Sequence, residues 1–236
     1  MPVQHLPWDS NFLGFAVGQL RRSELPSGGL APLLARARQQ GYRLIYWFVP
    51  PGLAAAAALD GCPVALLADH KVRFRLPVSA GQAIQLPAGL APTRDYSPGL
   101  RALASQAGGY SRFQTDPNFA PEVHERLYQR WLERSVNGEL AREVLVYQPQ
   151  PAGPVRGFMA LSQHDNRTQI ELIAVESVSR GQGIGAAFIE AARARAAAVG
   201  HTIVQVITQA DNPACRLYRR EGFVLEHEEL VYHLWL

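Results

Sequence analysis

Cysteine is nearly absent from this chain, with only Cys62 and Cys215 among 236 residues. Two cysteines build no disulfide framework, and without Cys/His clusters at zinc-like spacing no metal site is expected. Charge is sparse as well. Charged residues make up 18% of the chain, the net charge is +3, and lysine and arginine form no long run. A nucleic acid polymer is therefore not an expected partner, whereas a local basic patch for a small anion stays open. The longest alanine-rich stretch is cut by Asp60 and falls short of the ~20 residues that a membrane-inserted helix needs. The start, Met1 to Phe12, has neither a basic region nor an apolar run, so no signal peptide is expected. These absences together predict a soluble protein in a reducing, cytoplasmic compartment.

What is present is 47% hydrophobic residue content, enough for one large core or two modest ones. A stretch rich in Pro, Gly and Ala, Pro77 to Pro92, reads as a linker with one short strand at its end. It divides a small α/β domain, residues 1–80, from a larger one, residues 81–236. The first domain should hold a helix over Leu30–Gln40 ended by Gly41 and a strand over Arg43–Val49. An alanine-rich helix ending near Leu59 and two strands, Val64–Ala68 and Lys71–Leu76, follow. In the second, Ser97 and Pro98 supply an N-cap and a first-turn proline for a helix to Ala107. A loop from Gly108 to Ala120 leads to a helix over Pro121–Val136. Next come a hairpin of Glu143–Gln148 with Val155–Gln163, a turn over His164–Arg167, and a central strand, Gln169–Val175. A helix over Ala186–Val199, a strand over Thr202–Thr208, a short helix from Asn212 and strands Phe223–His227 and Leu230–Leu236 complete a mixed α/β pattern.

The two parts also resemble each other. Ala35–Val49 parallels Ala192–Ile207, and Asp60-Gly61 parallels Glu221-Gly222, with similar spacing between the glycines at 41 and 61 and at 200 and 222. The first part then reads as a half-copy without a glycine loop, a packing partner rather than a second active site.

Chemistry concentrates between Gln169 and Gly200. An apolar strand passes through a polar turn into Arg180-Gly181-Gln182-Gly183-Ile184-Gly185 and then a helix. This order presents unpaired N–H groups and a positive helix end to an anion, and glycine lets a phosphate approach the backbone. The dinucleotide fingerprint G-x-G-x-x-[G/A] is formally satisfied. Against it, Glu176–Ser179 separate strand from glycines, and Val204, Gln205 and Val206 stand where its carboxylate would be.

Arg-x-x-Gly-x-Gly after Ile173-Ala174-Val175, together with Asn212, Tyr218 and Gly222-Phe223 downstream, resembles the GNAT family of N-acetyltransferases over Ala91–Leu236. The resemblance implies a GNAT fold after a smaller α/β domain like half of one, with acetyl-CoA as cosubstrate. Its pyrophosphate would sit on Gly181, Gln182, Gly183, Ile184, Gly185 and Ala186 beside Arg180. The backbone of Ile173, Ala174 and Val175 would pair with the pantetheine and polarise the acetyl carbonyl. Tyr218 is the implied general acid, since a phenol of pKa near ~10 can return a proton to a thiolate whose thiol has pKa ~8.5. Asn212 either contacts the coenzyme or only caps its helix. For the base the strand offers Glu171, because Gln169 cannot serve. A structural carboxylate, the surface histidines His124 and His164, and a water chain remain alternatives.

Pro7–Phe15, Leu103–Phe113 and Tyr128–Gly138 are similar to the bacterial dTDP-fucosamine acetyltransferases. That narrower resemblance implies a nucleotide-linked amino sugar as acceptor, a role in polysaccharide biosynthesis, and a homodimer. Ser111, Arg112, Phe113 and Tyr128 then become substrate-binding candidates, a guanidinium for the diphosphate and rings for base or sugar. Phe119 and Trp131 read as core. Transfer to another small amine or a peptide N-terminus, and a non-catalytic domain that binds coenzyme A, are the competing readings.

Overall fold

The computed structural model describes residues 3–21, 29–52, 65–79, 85–150 and 153–236. The predicted alanine-rich helix near Leu59, Cys62, and the Asp60-Gly61 part of the internal likeness lie outside them. The chain forms two compact units, Met1–Val72 with Glu228–Leu236, and Arg73–His227. Two strands, β4 (Ala65–Pro77) and β10 (Val224–Trp235), have residues in both.

The first unit runs β1 (Gln4–His5), α1 (Pro7–Leu13), β2 (Ala16–Arg21), α2 (Ala31–Gln39), β3 (Tyr42–Val49). Helix α2 stops where Gly41 takes φ 85°, a left-handed conformation that glycine adopts at no steric cost. The chain returns as β3, parallel to β2 from Ala16↔Tyr42 to Arg21↔Phe48. Leu230 to Trp235 pair antiparallel with the other side of β3. Leu34 and Ala37 of α2 bury against Ile45, Trp47, Val49, Tyr232 and Leu234. Helix α1 was not anticipated. It buries no residue, so it lacks the apolar periodicity that would announce it, and Pro7 with Gly14 at φ 78° bound it instead.

The second unit contains β5 (Leu90–Thr93), α3 (Pro98–Ala107), α4 (Arg112–Thr115), α5 (Glu122–Val136), β6 (Glu143–Tyr147) and β7 (Gly157–His164). It continues through β8 (Arg167–Val175), α6 (Ile184–Ala198), β9 (Ile203–Gln209) and α7 (Ala214–Arg220). Strand order is β4-β9-β8-β7-β6-β5. The pairs from β5 to β8 are antiparallel, and β8 and β9 are parallel around α6. Thus β8-α6-β9 repeats the β2-α2-β3 arrangement, down to Gly200 at φ 77° closing α6. Ser97 Oγ accepts the amide of Leu100, the expected cap of α3.

Three expectations are corrected. The strands predicted at Val64–Ala68 and Lys71–Leu76 are one continuous β4, and the two terminal strands are one β10. Polar pairs, Asp69-His70 and Glu228-Glu229, suggested breaks, but neither contains a glycine or proline to turn the chain. The loop after α3 holds the short α4, started by Ser111 Oγ accepting the amide of Phe113. Among the described residues no helix is long and apolar enough to cross a membrane.

Gly157 fixes how closely α6 approaches the sheet. A Cβ there would lie 2.8 Å from the carbonyl oxygen of Ala174 and 3.0 Å from the ring of the fully buried Phe188. Backbone cannot yield as a side chain can. Gly157→Ala is expected to cost about 1–3 kcal/mol, read as a melting temperature lowered by several degrees; an unchanged midpoint would refute this packing account.

Candidate active site

Strands β8 and β9 pair only from Arg167↔Ile203 to Ile170↔Val206. At that point β8 slips against β7, with Ile170 opposite Leu161 and Leu172 opposite Ala160, so Glu171 is the extra residue of a bulge. Beyond it Ile173, Ala174 and Val175 pair with β7 on one side only. The other edge of β8 presents backbone N–H and C=O groups to the gap, the groups with which an extended amide-bearing chain can pair.

The strand feeds an anchored turn. Arg156 meets Glu176 at 2.6 Å and Ser179 Oγ donates to the same carboxylate, which Arg156 holds below the usual carboxylate range. After the 3₁₀ turn Ser177–Ser179, Gly181 and Gly183 take φ of 79° and 81°, where a side chain would be strained. Gly183 caps α6 without any side-chain acceptor, and the first helical bond is Ala187 N–H to the Gly183 carbonyl at 3.0 Å. The amides of Ile184, Gly185 and Ala186 therefore point out of the helix end, where the dipole favours an anion. Arg180 Nε donates to the Val175 carbonyl at 3.1 Å, which ties the one loop cation to the strand end. Gly185 has a packing role besides, since a Cβ there would lie 2.8 Å from Leu217 of α7. An uncapped helix end behind an open strand edge fits a cosubstrate that has both a pyrophosphate and an amide-bearing arm.

Asn212 acts as a cap. Its Oδ1 accepts the amide of Ala214 at 2.9 Å and its Nδ2 donates to Thr208 Oγ1 at 3.0 Å. Tyr218 is buried between Phe74 and Phe223, and burial pushes its phenol far above the ordinary value. It stays protonated throughout the physiological range. Cys215 is also buried, its thiol pushed up by desolvation and donating to the Gln209 carbonyl, which leaves little thiolate.

Glu171 has a side chain 13% exposed. Ser162 Oγ and Gln169 Nε2 donate to its Oε1, and His164 Nε2 lies 3.5 Å from the same oxygen. Its other oxygen, Oε2, makes none of these contacts. Strand β8 begins at Arg167, so the predicted turn shrinks to Asp165 and Asn166, with Asp165 at φ 50°. Alternation then puts Arg167, Gln169 and Glu171 on one face. A polar chain missed in the sequence runs along it: Gln169 to Gln205 at 2.7 Å, Gln205 to Arg167 at 2.7 Å, and Arg167 to Glu226 at 2.8 Å. Extending the alternation two residues back from Gln169 would have found Arg167.

The acceptor candidates form a cluster of their own. Arg112 lies over the Phe113 ring, which stacks on Phe119 at 5.3 Å. Ser111 and Tyr128 are buried, and a Cβ on Gly108 would collide with the Tyr128 ring. His124 is buried beside Tyr128 rather than on the surface, and burial lowers its pKa, whereas His164 is exposed as expected.

Residues 141–225 match the family model described as acetyltransferase (GNAT) domain. The chain is similar to dTDP-fucosamine acetyltransferase of Escherichia coli O6:H1, 35% identical over 131 residues, which is 55% of this chain and 55% of that protein. The match thus spans about half of each. Among solved structures it resembles a GCN5-related N-acetyltransferase from Sphaerobacter thermophilus. That likeness has a TM-score of 0.58 at 15% identity, over 94% of this chain and 73% of that one. A functionally unknown conserved protein from Staphylococcus epidermidis gives 0.65 at 10% identity, over 100% and 92%. At such identities the likeness is one of fold, and it bears out the expected mixed α/β GNAT fold.

Glu226 allows a test of this face by pH. Its hydrogen bond from Arg167 holds the carboxyl below the usual range, against the opposing effect of burial. A depressed folded-state pKa contributes stability above the unfolded value, near ~4.3, that is lost as pH falls through the folded value. Between about pH 5 and pH 3 the wild-type melting temperature should fall more steeply than that of Glu226→Gln; parallel curves would contradict the assignment.

Proposed function

We propose that the protein is an acetyl-CoA-dependent N-acetyltransferase that moves acetyl directly onto the amine of a nucleotide-linked amino sugar. The observation that carries the reading is the gap between β8 and β9 opening onto the uncapped start of α6, inside the segment that matches the GNAT family model. In this reading the amides from Gln182 to Ala186, with Gly181 and Arg180, hold the pyrophosphate, and the free edge of Ile173, Ala174 and Val175 holds the pantetheine. A main-chain N–H of that edge polarises the acetyl carbonyl as negative charge develops on it.

The acceptor amine must lose a proton to become a nucleophile. Glu171 is assigned that proton, and its uncommitted Oε2 and low exposure support the role. Tyr218 is assigned the proton delivered to the departing thiolate; burial keeps the phenol protonated, and its raised pKa makes it a weaker donor than a free phenol. Asn212 orients α7, and with it Tyr218, through its cap. An acyl-enzyme route would need an activated cysteine, and Cys215 has the opposite electrostatics. The nucleotide-linked acceptor is supported by the name of the Escherichia coli relative and by the resemblance carried by Pro7–Phe15 and Leu103–Phe113.

Thiol release from acetyl-CoA, measured against a panel of nucleotide-linked amino sugars, should be amine-dependent. Tyr218→Phe should lower kcat by about 10²–10⁴-fold while the KM for acetyl-CoA changes little. If no amine releases thiol, the protein is a coenzyme-binding domain; if Tyr218→Phe is as active as the parent, Tyr218 is a core residue. Arg112→Ala should raise the KM for the nucleotide-linked amine by about tenfold; indifference would remove Arg112 from the acceptor site.

A further inference from the structure

We infer that the sheet face carrying Arg73, Arg75 and Arg167 is the subsite that takes the diphosphate of the acceptor, an inference that deepens the function proposed above and rests on it. In β4 Val72, Phe74 and Leu76 are buried, so Arg73 and Arg75 alternate onto the opposite face about 7 Å apart along the strand, the face that also carries the buried Asp69. Arg167 of β8 reaches the same carboxylate as they do. Its Nη1 lies 2.8 Å from Glu226 Oε2, Arg75 Nε lies 4.0 Å from Oε1, and the charge of Arg73 acts on that carboxylate as well. Two guanidiniums thus contact one carboxylate with the charge of a third nearby, more positive charge than that ion pair requires.

Their donors are not used up. The contacts of Arg167 with Glu226 and Gln205 all run through Nη1, leaving Nε and Nη2 outside them. Arg73 Nε is buried with no hydrogen-bond partner among the described residues. Arg75 and Arg167 are 42% and 35% exposed, so a solute can reach them. Guanidinium forks match phosphate oxygens in geometry as well as in charge.

Position agrees with the chemistry. Arg167, Gln169 and Glu171 follow one another on the same face of β8 and are joined through Gln205 and Gln169. Four residues of strand span about 13 Å, room for one hexose ring between a diphosphate at the arginines and an amine at Glu171. Ile207 and Val224, both exposed, alternate into the same face beside Gln205 and Glu226 and offer apolar surface to the ring or base.

The phosphates of acetyl-CoA share this ligand chemistry, so the test separates the two sources. Binding of thymidine diphosphate to the full chain is measured by calorimetry, alongside steady-state KM for acetyl-CoA and for the nucleotide-linked amine. Arg75→Gln and Arg167→Gln should each weaken thymidine diphosphate, and raise the KM for the amine, by about tenfold, with the KM for acetyl-CoA unchanged. Glu226→Gln, which removes the competing anion, should tighten thymidine diphosphate several-fold. Arg75 is exposed, so its variant should melt like the parent even if Arg167→Gln does not fold. No binding of thymidine diphosphate, insensitivity to Arg75→Gln, a shift confined to the KM for acetyl-CoA, or no tightening in Glu226→Gln would each overturn the subsite. If thymidine diphosphate binds in an Arg75-dependent way while no nucleotide-linked amine is acetylated, the subsite stands and the proposed acceptor falls.

Discussion

A strand cannot lose its neighbour inside a protein without some other partner for its amides and carbonyls, and β8 loses β9 after Ile170. The rest of the second unit is arranged around that parting. The bulge at Glu171 turns the strand, and β7 holds its other edge as far as Val175. Gly157 lets Phe188 of α6 come against the same strand end. The ion pair of Arg156 with Glu176 fixes the turn through which the backbone passes from open edge to open helix start. An unpaired strand edge and an uncapped helix therefore follow each other within a few residues, and one extended ligand can satisfy both.

The two ends of the proposed reaction use different electrostatics. At the glycine loop the positive potential comes from backbone amides and the helix dipole, with Arg180 as a nearby side-chain cation. On the sheet face it comes from side-chain guanidiniums gathered around Glu226. Between them the groups assigned to proton transfer sit in contrasting surroundings. Tyr218 lies among aromatic rings that keep it protonated, and Glu171 has hydrogen-bond donors converging on one oxygen. Two titratable groups in such different environments can divide acid and base work at one pH.

Much of this could be read along the chain. The cap at Ser97, the glycine stops at Gly41 and Gly200, the strand leading into Arg180–Gly185, and the likeness of β2-α2-β3 to β8-α6-β9 are all local patterns of spacing and residue type. Helix α1 escaped notice because nothing in it is buried, and β4 and β10 were each split because polar pairs imitate turns. The polar chain from Glu171 to Glu226 escaped for another reason. Its members lie on β8, β9 and β10, and only the folding of the sheet brings them together.

By itself the sequence determined the local pattern: a glycine-rich helix start, a strand to precede it, and a tyrosine at family spacing. Those depend on neighbours within a few residues, where φ/ψ preferences and periodicity operate directly. Tertiary structure decided that Tyr128 is packed against Gly108 and that arginines far apart in the chain converge on one carboxylate. Such outcomes depend on strand register and on a bulge of one residue, and a shift of one position would send every side chain of the strand to the opposite face.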